Sequence, residues 1–353
     1  MKKPVCRAAA LLCLILLLCC PARAAENAVQ AGEDAPWHVL YISSYSFSWV
    51  PVPLQIAGID RAFEDIGGVV DYEFMDTKNT VYSEGYREFY DLLKFKLGTR
   101  LPYDGVVAGD DAALSFITLY KDELFRGVPI TFLAVDNAAN AQAVAADPLV
   151  TGVVERVDYA KNIEIARALL PEAERVTLIL DGQENSVGIA RQLEEQSGVF
   201  DPLPVTLLNS SDFTQEALCE KLAALTERDI VFVLSMGQCR DELLPENECY
   251  RMLREYCRTP AFRITPAGVG QGVLGGCIVD FEQCGYIAGT MLRQMMEQPQ
   301  AECPALCLDT PSMYLFDYNV MQQYGLDVSL LPEEAGVFYA PQSFWKTYSN
   351  QII

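Results

Sequence analysis

Histidine is almost missing from this chain: of 353 residues, only His38 carries an imidazole. A His-rich metal centre is thereby excluded, and a serine–histidine–acid triad would have to use that one ring. Basic side chains are scarce as well, with 26 Lys and Arg against 48 Asp and Glu and a formal charge of −22. No segment gathers the Lys and Arg clusters that hold a phosphodiester backbone or an anionic membrane surface, so charge argues against nucleic acid as a partner. Beyond the first two dozen residues, no run reaches the roughly 18 consecutive apolar residues of a membrane helix. CxxC spacing is also absent, which argues against dithiol exchange and, together with the shortage of histidine, against a zinc site.

What is present begins with an address. Lys2, Lys3 and Arg7 form a basic start, residues 8–20 are apolar, and Ala22-Arg23-Ala24 is a small-x-small cleavage signal. Residues 1–24 therefore read as a cleaved secretory signal peptide. An uncleaved anchor needs about 20 apolar residues, and a lipoprotein needs small residues before Cys19, where Leu17 and Leu18 stand. The expected location is periplasmic or extracellular. Four of the 12 cysteines fall in the leader, and the other eight lie in the C-terminal half. An even number in an oxidising compartment predicts disulfides. Cys249 and Cys257 are excluded as a pair, because a helix over 247–257 would separate them by about 12 Å.

With 51% hydrophobic and 21% charged residues, the remainder is globular and long enough for two domains. Short runs of Val, Ile, Leu and Phe alternate with segments of helical period, the pattern of parallel sheets covered by helices. Strands are expected at 38–43, 69–75, 105–108 and 129–135, with helices at 53–65, 83–97 and 112–121 between them. The scheme repeats with strands at 175–180, 204–208 and 229–234 and helices near 186–196, 214–226 and 247–257. Thr151-Gly152-Val153-Val154-Glu155 reads as an extended connection between lobes. The expected fold class is α/β, two Rossmann-like lobes with parallel sheets joined by a hinge. The expected divisions are 37–155, 156–265, and trailing elements over 266–353 that cross between the lobes.

Ligands of open parallel sheets bind beyond the carboxyl ends of the strands. Those ends supply Ser43, Ser44 and Tyr45, followed by Trp49; then Asp76; Asp110 and Asp111; and Asp136 and Asn137. The second half adds Asp181 and Ser235. Each has a plainer use: Asp111 as a helix cap, Asp136-Asn137 and Asp181-Gly182 as turns. A serine hydrolase is disfavoured, since Ser43 and Ser44 lack a G-x-S-x-G frame and His38 lies about 17 Å away along the same strand. A carboxylate pair drawn from Asp76, Asp110 and Asp111 would support hydrolysis. No calcium loop accompanies these acids. The glycine-rich run 268–276 lacks a Walker lysine and leads into a strand, so it reads as a mobile or inter-lobe loop and not as a phosphate cradle.

Several stretches in order resemble one family. Val39-Leu40-Tyr41-Ile42-Ser43-Ser44-Tyr45, Gly58-Ile59, Met75-Asp76-Thr77-Lys78, Gly109-Asp110-Asp111 and Leu124-Phe125-Arg126-Gly127-Val128-Pro129 are similar to the ABC-transporter substrate-binding-protein-like family, a branch of the type I periplasmic binding proteins. Phe316-Asp317-Tyr318, Tyr324-Gly325-Leu326 and Ser343-Phe344-Trp345 resemble the last part of the related sensor domains of membrane histidine kinases and diguanylate cyclases. The resemblance implies a clamshell that closes on a small molecule. It also implies that the strand-end residues line the cleft and that Glu155 lies near the hinge. Tyr45 and Trp49 would stack on an aromatic metabolite or amino acid, and the acids would suit an amino group. The expectation is a non-enzymatic solute-binding protein, without cofactor, serving a membrane permease. The alternatives are a sensor module reporting to a membrane kinase or cyclase, and the carboxylate hydrolase.

Overall fold

A computed structural model describes residues 36–182, 185–240 and 242–341. The expected signal peptide and Ser343-Phe344-Trp345 lie outside them. Two parallel-stranded sheets organise the chain. The first comes from β1 (His38–Ser43), β2 (Val69–Phe74), β3 (Gly105–Gly109), β4 (Ile130–Val135) and β5 (Val150–Val154), in the order β2-β1-β3-β4-β5, and every pair is parallel. The connecting helices are α1 (Pro51–Phe63), α2 (Arg87–Leu97), α3 (Asp110–Leu124) and α4 (Ala138–Val144). β3, β4 and β5 are buried along their whole length, as parallel strands with both faces covered must be. The segment expected to connect the lobes is thus the fifth strand of the first sheet, placed there by the apolar side chains of Val150, Val153 and Val154.

The second sheet uses β6 (Arg175–Leu180), β7 (Val205–Asn209), β8 (Asp229–Val233), β9 (Ala261–Phe262), β10 (Gly275–Val279), β11 (Ser312–Asp317) and β12 (Gly336–Phe338), in the order β12-β11-β10-β9-β8-β6-β7. Only the β10–β11 pair is antiparallel. Its helices are α5 (Tyr159–Leu169), α6 (Asn185–Glu195), α7 (Gln215–Ala223), α8 (Glu246–Tyr256), α9 (Phe281–Glu297) and α10 (Tyr318–Gln323). Asp158 and Asp280 cap α5 and α9, accepting from the N–H groups of Lys161 and Gln283.

α9 leaves the second sheet and packs on α1 and on the first sheet. The approach is close enough to need glycine: a Cβ on Gly58 would stand 1.9 Å from the Glu282 carbonyl, and one on Gly285 would stand 2.3 Å from that of Gln55. The chain then runs beside β5, where the N–H of Cys307 donates to Gly152 O and the N–H of Val154 to Cys307 O, before returning as β11. Three passages therefore lie side by side. Thr310 Oγ1 accepts from the N–H of Arg156 at 2.8 Å and donates to Val154 O at 2.6 Å, and Asp280 N–H donates to Pro311 O at 2.9 Å.

Two expectations are corrected here. Among the described residues, none of the eight cysteines is joined in a disulfide. Cys249 and Cys257 donate to the carbonyls of Met236 and Thr259, and burial pushes the Cys249 thiol up to about 12, far from a reactive thiolate. The glycine-rich run is no loose connection either. It turns against Tyr250 and Arg254 inside the second lobe and enters β10 at Gly275, whose φ of +102° and 1.9 Å approach to Leu315 O exclude a side chain.

Gly58→Ala and Gly285→Ala should each lower unfolding stability by about 2–4 kcal/mol, because neither neighbouring backbone can yield. Gly198→Ala, where a Cβ meets nothing within 4 Å, should stay within about 0.5 kcal/mol. Denaturant titration of the three variants checks both expectations.

Candidate functional site

Because the first five strands are parallel, their carboxyl ends share one edge, and the turns there are sharp. Asp76, Asp110 and Ala134 take positive φ of 53°, 69° and 57°, a region that Asp tolerates better than most residues. Ser44 braces this edge. Its Oγ donates to Gly109 O at 2.7 Å and accepts from Ala113 N–H at 2.8 Å, while its carbonyl accepts from Thr77. Ser43 Oγ accepts from Tyr45 N–H. Both serines are fully buried and act within the scaffold. Asp76 closes its own turn, accepting from Asn79 Nδ2 at 2.9 Å. Asp111 does not cap a helix; it accepts from the N–H groups of Asp136 and Asn137 at 3.0 and 3.4 Å and ties the end of β4 to α3. Asn137 caps α4.

Three carboxylates remain on the floor of this edge: Asp110, Asp136 and Glu155. Protein surrounds each of them, yet each keeps partial solvent exposure, as the floor of a crevice does. Burial pushes Asp110 up to about 7, with the Asp111 charge adding to it, against a hydrogen bond from Gln55 Nε2 at 3.3 Å and the charge of Lys78. Asp136 is held well above the carboxylate range first by burial and then by Asp111 and Asp110, and Glu155 first by burial and then by Asp136, Asp110 and Asp111. Tyr45, raised first by burial, feels all four acids.

The aromatic wall is Tyr45 and Trp49, edge to face at 5.9 Å. Lys78 lies over it, its Nζ 4.1 Å from the Trp49 ring centroid and 4.7 Å from that of Tyr45. Burial lowers the Lys78 pKa, opposed by Asp110, Asp181 and Glu246. Lys78 was not among the expected site residues, because a lysine after a strand reads as solvated; only its neighbourhood to Tyr45 and Trp49 in the fold reveals it.

The second lobe supplies the facing side. Asp181 accepts from Ser186 Oγ at 2.6 Å, Ser235 Oγ at 2.7 Å and Gly237 N–H at 2.7 Å, so Asp181 and Ser235 together fix the strand-end loops. From α6, Gln192 Nε2 donates to Asp136 Oδ1 at 3.2 Å and to Glu155 O at 3.0 Å, and its Oε1 accepts from Val157 N–H at 3.0 Å. Arg191 Nη1 donates to Asn137 Oδ1 at 3.3 Å. Gln192 too escaped the sequence reading, since a glutamine inside a helix carries no signal. His38, at the opposite end of β1, pairs with Asp71 at 3.2 Å and lies tilted against the Tyr103 ring, 4.3 Å between centroids.

No protein-family model matches the chain, and no curated protein does. Solved structures do. An ABC domain in complex with L-Trp from Streptococcus pneumonia is similar at 17% identity and a TM-score of 0.59, over 85% of this chain and 99% of that one. A conserved domain protein from Vibrio cholerae aligns at 13% identity and a TM-score of 0.61, over 85% and 99%. The ligand-free, open form of CD0873, a substrate-binding protein with adhesive properties from Clostridium difficile, aligns at 15% identity and 0.60, over 86% and 100%. The chain has the type I periplasmic-binding-protein fold. In this chain Arg191 and Gln192 of α6 reach Asn137 and Asp136, so the second lobe meets the strand-end edge of the first sheet there. Among the described residues, no helix is long and apolar enough to cross a membrane.

The raised Asp110 gives a pH test. A carboxyl whose folded pKa lies above its unfolded value stabilises the fold at low pH and loses that contribution as pH rises from about 4 to about 7. The groups facing it are Asp111, Asp136, Glu155, Gln55, Tyr41, Tyr45 and Lys78. Asp110→Asn keeps a residue that accepts the positive φ. Its Tm should match the wild type at pH 4 and exceed it by a few degrees at pH 8, measured by calorimetry without ligand.

Proposed function

We propose that this protein is an extracytoplasmic solute-binding protein that captures a small organic molecule between two lobes and hands it to an ABC-type membrane transporter. The observation that carries this reading is the convergence of an aromatic wall, Tyr45 and Trp49, with Lys78 and three poorly neutralised carboxylates at one sheet edge. An apolar face with a few placed ionisable groups is what a small-molecule site requires. In this reading Tyr45, Trp49, Lys78, Asp110, Asp136 and Glu155 touch the ligand. Ser43, Ser44, Asp76, Asp111, Asn137, Asp181 and Ser235 shape the loops that hold them.

The lobes, 37–155 and 156–265 with returning elements from 266 onward, swing about the three adjacent passages near Glu155, Asp280 and Thr310. The contacts bridging them at α6 are few and polar, which suits a cleft that opens and closes. Support comes from the similar structures, one of which holds L-Trp and another of which is a substrate-binding protein. The export signal read at residues 1–24 supports an extracytoplasmic site of action. A hydrolytic role has less support, because Asp76 and Asp111 are engaged in turns and ties between loops.

A solute screen by thermal shift, followed by calorimetry, tests the proposal. A ligand at 100 times its Kd should stabilise the protein by about 2.7 kcal/mol. Trp49→Ala should weaken it at least tenfold with an unchanged far-UV spectrum. Binding that is equally tight in Trp49→Ala would remove the site from this cleft. Unchanged uptake of that solute in cells lacking the protein would remove the transport role.

A further inference from the structure

Tyr159 opens α5 immediately after the chain leaves the first sheet. Its side chain is fully buried, yet its hydroxyl has no hydrogen-bond partner. That hydroxyl stands near enough to Asp136 and Glu155 to feel both charges. A buried hydroxyl left unpaired is unfavourable, and native structures rarely keep one without a use. Beside it, the Glu155 carboxylate receives no donor among the described residues, and Asp136 receives one from Gln192, a donor shared with the Glu155 carbonyl. An aliphatic ammonium supplies what these atoms lack, three N–H donors and one positive charge. Lys78 does not fill this role, since it lies over Tyr45 and Trp49. A metal ion does not suit it either: among the described residues, no three His, Cys, Asp or Glu side chains are grouped closely enough to hold one.

The rest of the ligand is constrained by the same charges. A carboxylate on it would need a cation, and those near the cleft already lie among acids or polar partners. Lys78 faces Asp110, Asp181 and Glu246, Arg191 is bonded to Asn137, and Arg156 is paired with Glu195 at 3.7 Å. Resting on the solute-binding reading above, we infer that the ligand is a primary amine without a carboxylate, its ammonium held by Asp136, Glu155 and the Tyr159 hydroxyl and its body lying toward Tyr45 and Trp49.

The test compares amines with their parent amino acids by calorimetry on the exported chain: tryptamine with L-tryptophan, tyramine with L-tyrosine, cadaverine with L-lysine and agmatine with L-arginine, with D-ribose as a neutral solute. In at least one pair the amine should bind tenfold or more tightly than its parent. Tyr159→Phe should weaken that amine five- to tenfold while leaving the Tm of the ligand-free protein unchanged or higher, an outcome that a merely structural tyrosine would not give. Glu155→Gln should weaken it at least tenfold. If the parent amino acid binds more tightly in every pair that binds, or only ribose binds, the amine class is overturned and the solute-binding reading stands. If an amine binds best but Tyr159→Phe leaves its affinity unchanged, the placement of the ammonium is overturned. If none of the nine compounds binds, the amine inference is overturned, and the wider solute screen then decides the solute-binding reading.

Discussion

The seam between α1 and α9 holds the arrangement together. α9 follows a strand of the second sheet and yet belongs, by packing, to the first, so the chain must cross between the sheets and return. Gly58 and Gly285 let the two helix backbones meet almost without side chains between them, and Gly289 meets Ala62 in the same way. Fixing α9 there places the Asp280 passage beside the Glu155 and Thr310 passages. A shift of this seam would misalign every residue of the cleft without touching any of them.

Electrostatics separates scaffold from site. Asp111 and Asp181 are carboxylates at strand ends like the others, but each collects backbone or hydroxyl donors and is consumed in holding loops. Asp110, Asp136 and Glu155 collect few, and burial makes each resist ionising. A protein with so few cations cannot quench these groups from within. The charge imbalance of the whole chain is thus concentrated, at this one edge, into an appetite for positive charge.

Much of the architecture was legible because buried parallel strands write themselves as short apolar runs: 38–43 and 175–180 match β1 and β6 end for end. The strand ends named by that pattern include Asp110 and Asp136, whereas Glu155 follows only from the family resemblance. What escaped did so for physical reasons. β5 looks like a linker because Thr151 and Gly152 interrupt its apolar run, and its place in the sheet comes from pairing with β4. α4 is a short alanine-rich helix without a clear apolar stripe. β11 and β12 exist through pairing with β10 and with each other, contacts that no local pattern announces. Tyr159 reads as the apolar start of a helix, and its unpaired hydroxyl shows only when the neighbours are in place. The cysteines look like a disulfide set by number and compartment alone, while packing uses them as small apolar residues.

The lysine lying across Trp49 has an optical consequence. The sequence carries three tryptophans, of which Trp37 packs at the base of the first lobe and Trp345 falls in the C-terminal tail. Among the described tryptophans, only Trp49 stands against an ammonium, that of Lys78 at 4.1 Å. An indole's emission responds to a charge at that distance, so any occupant that displaces Lys78 changes the colour or brightness of the protein's own fluorescence, and the cleft carries a built-in gauge of its filling.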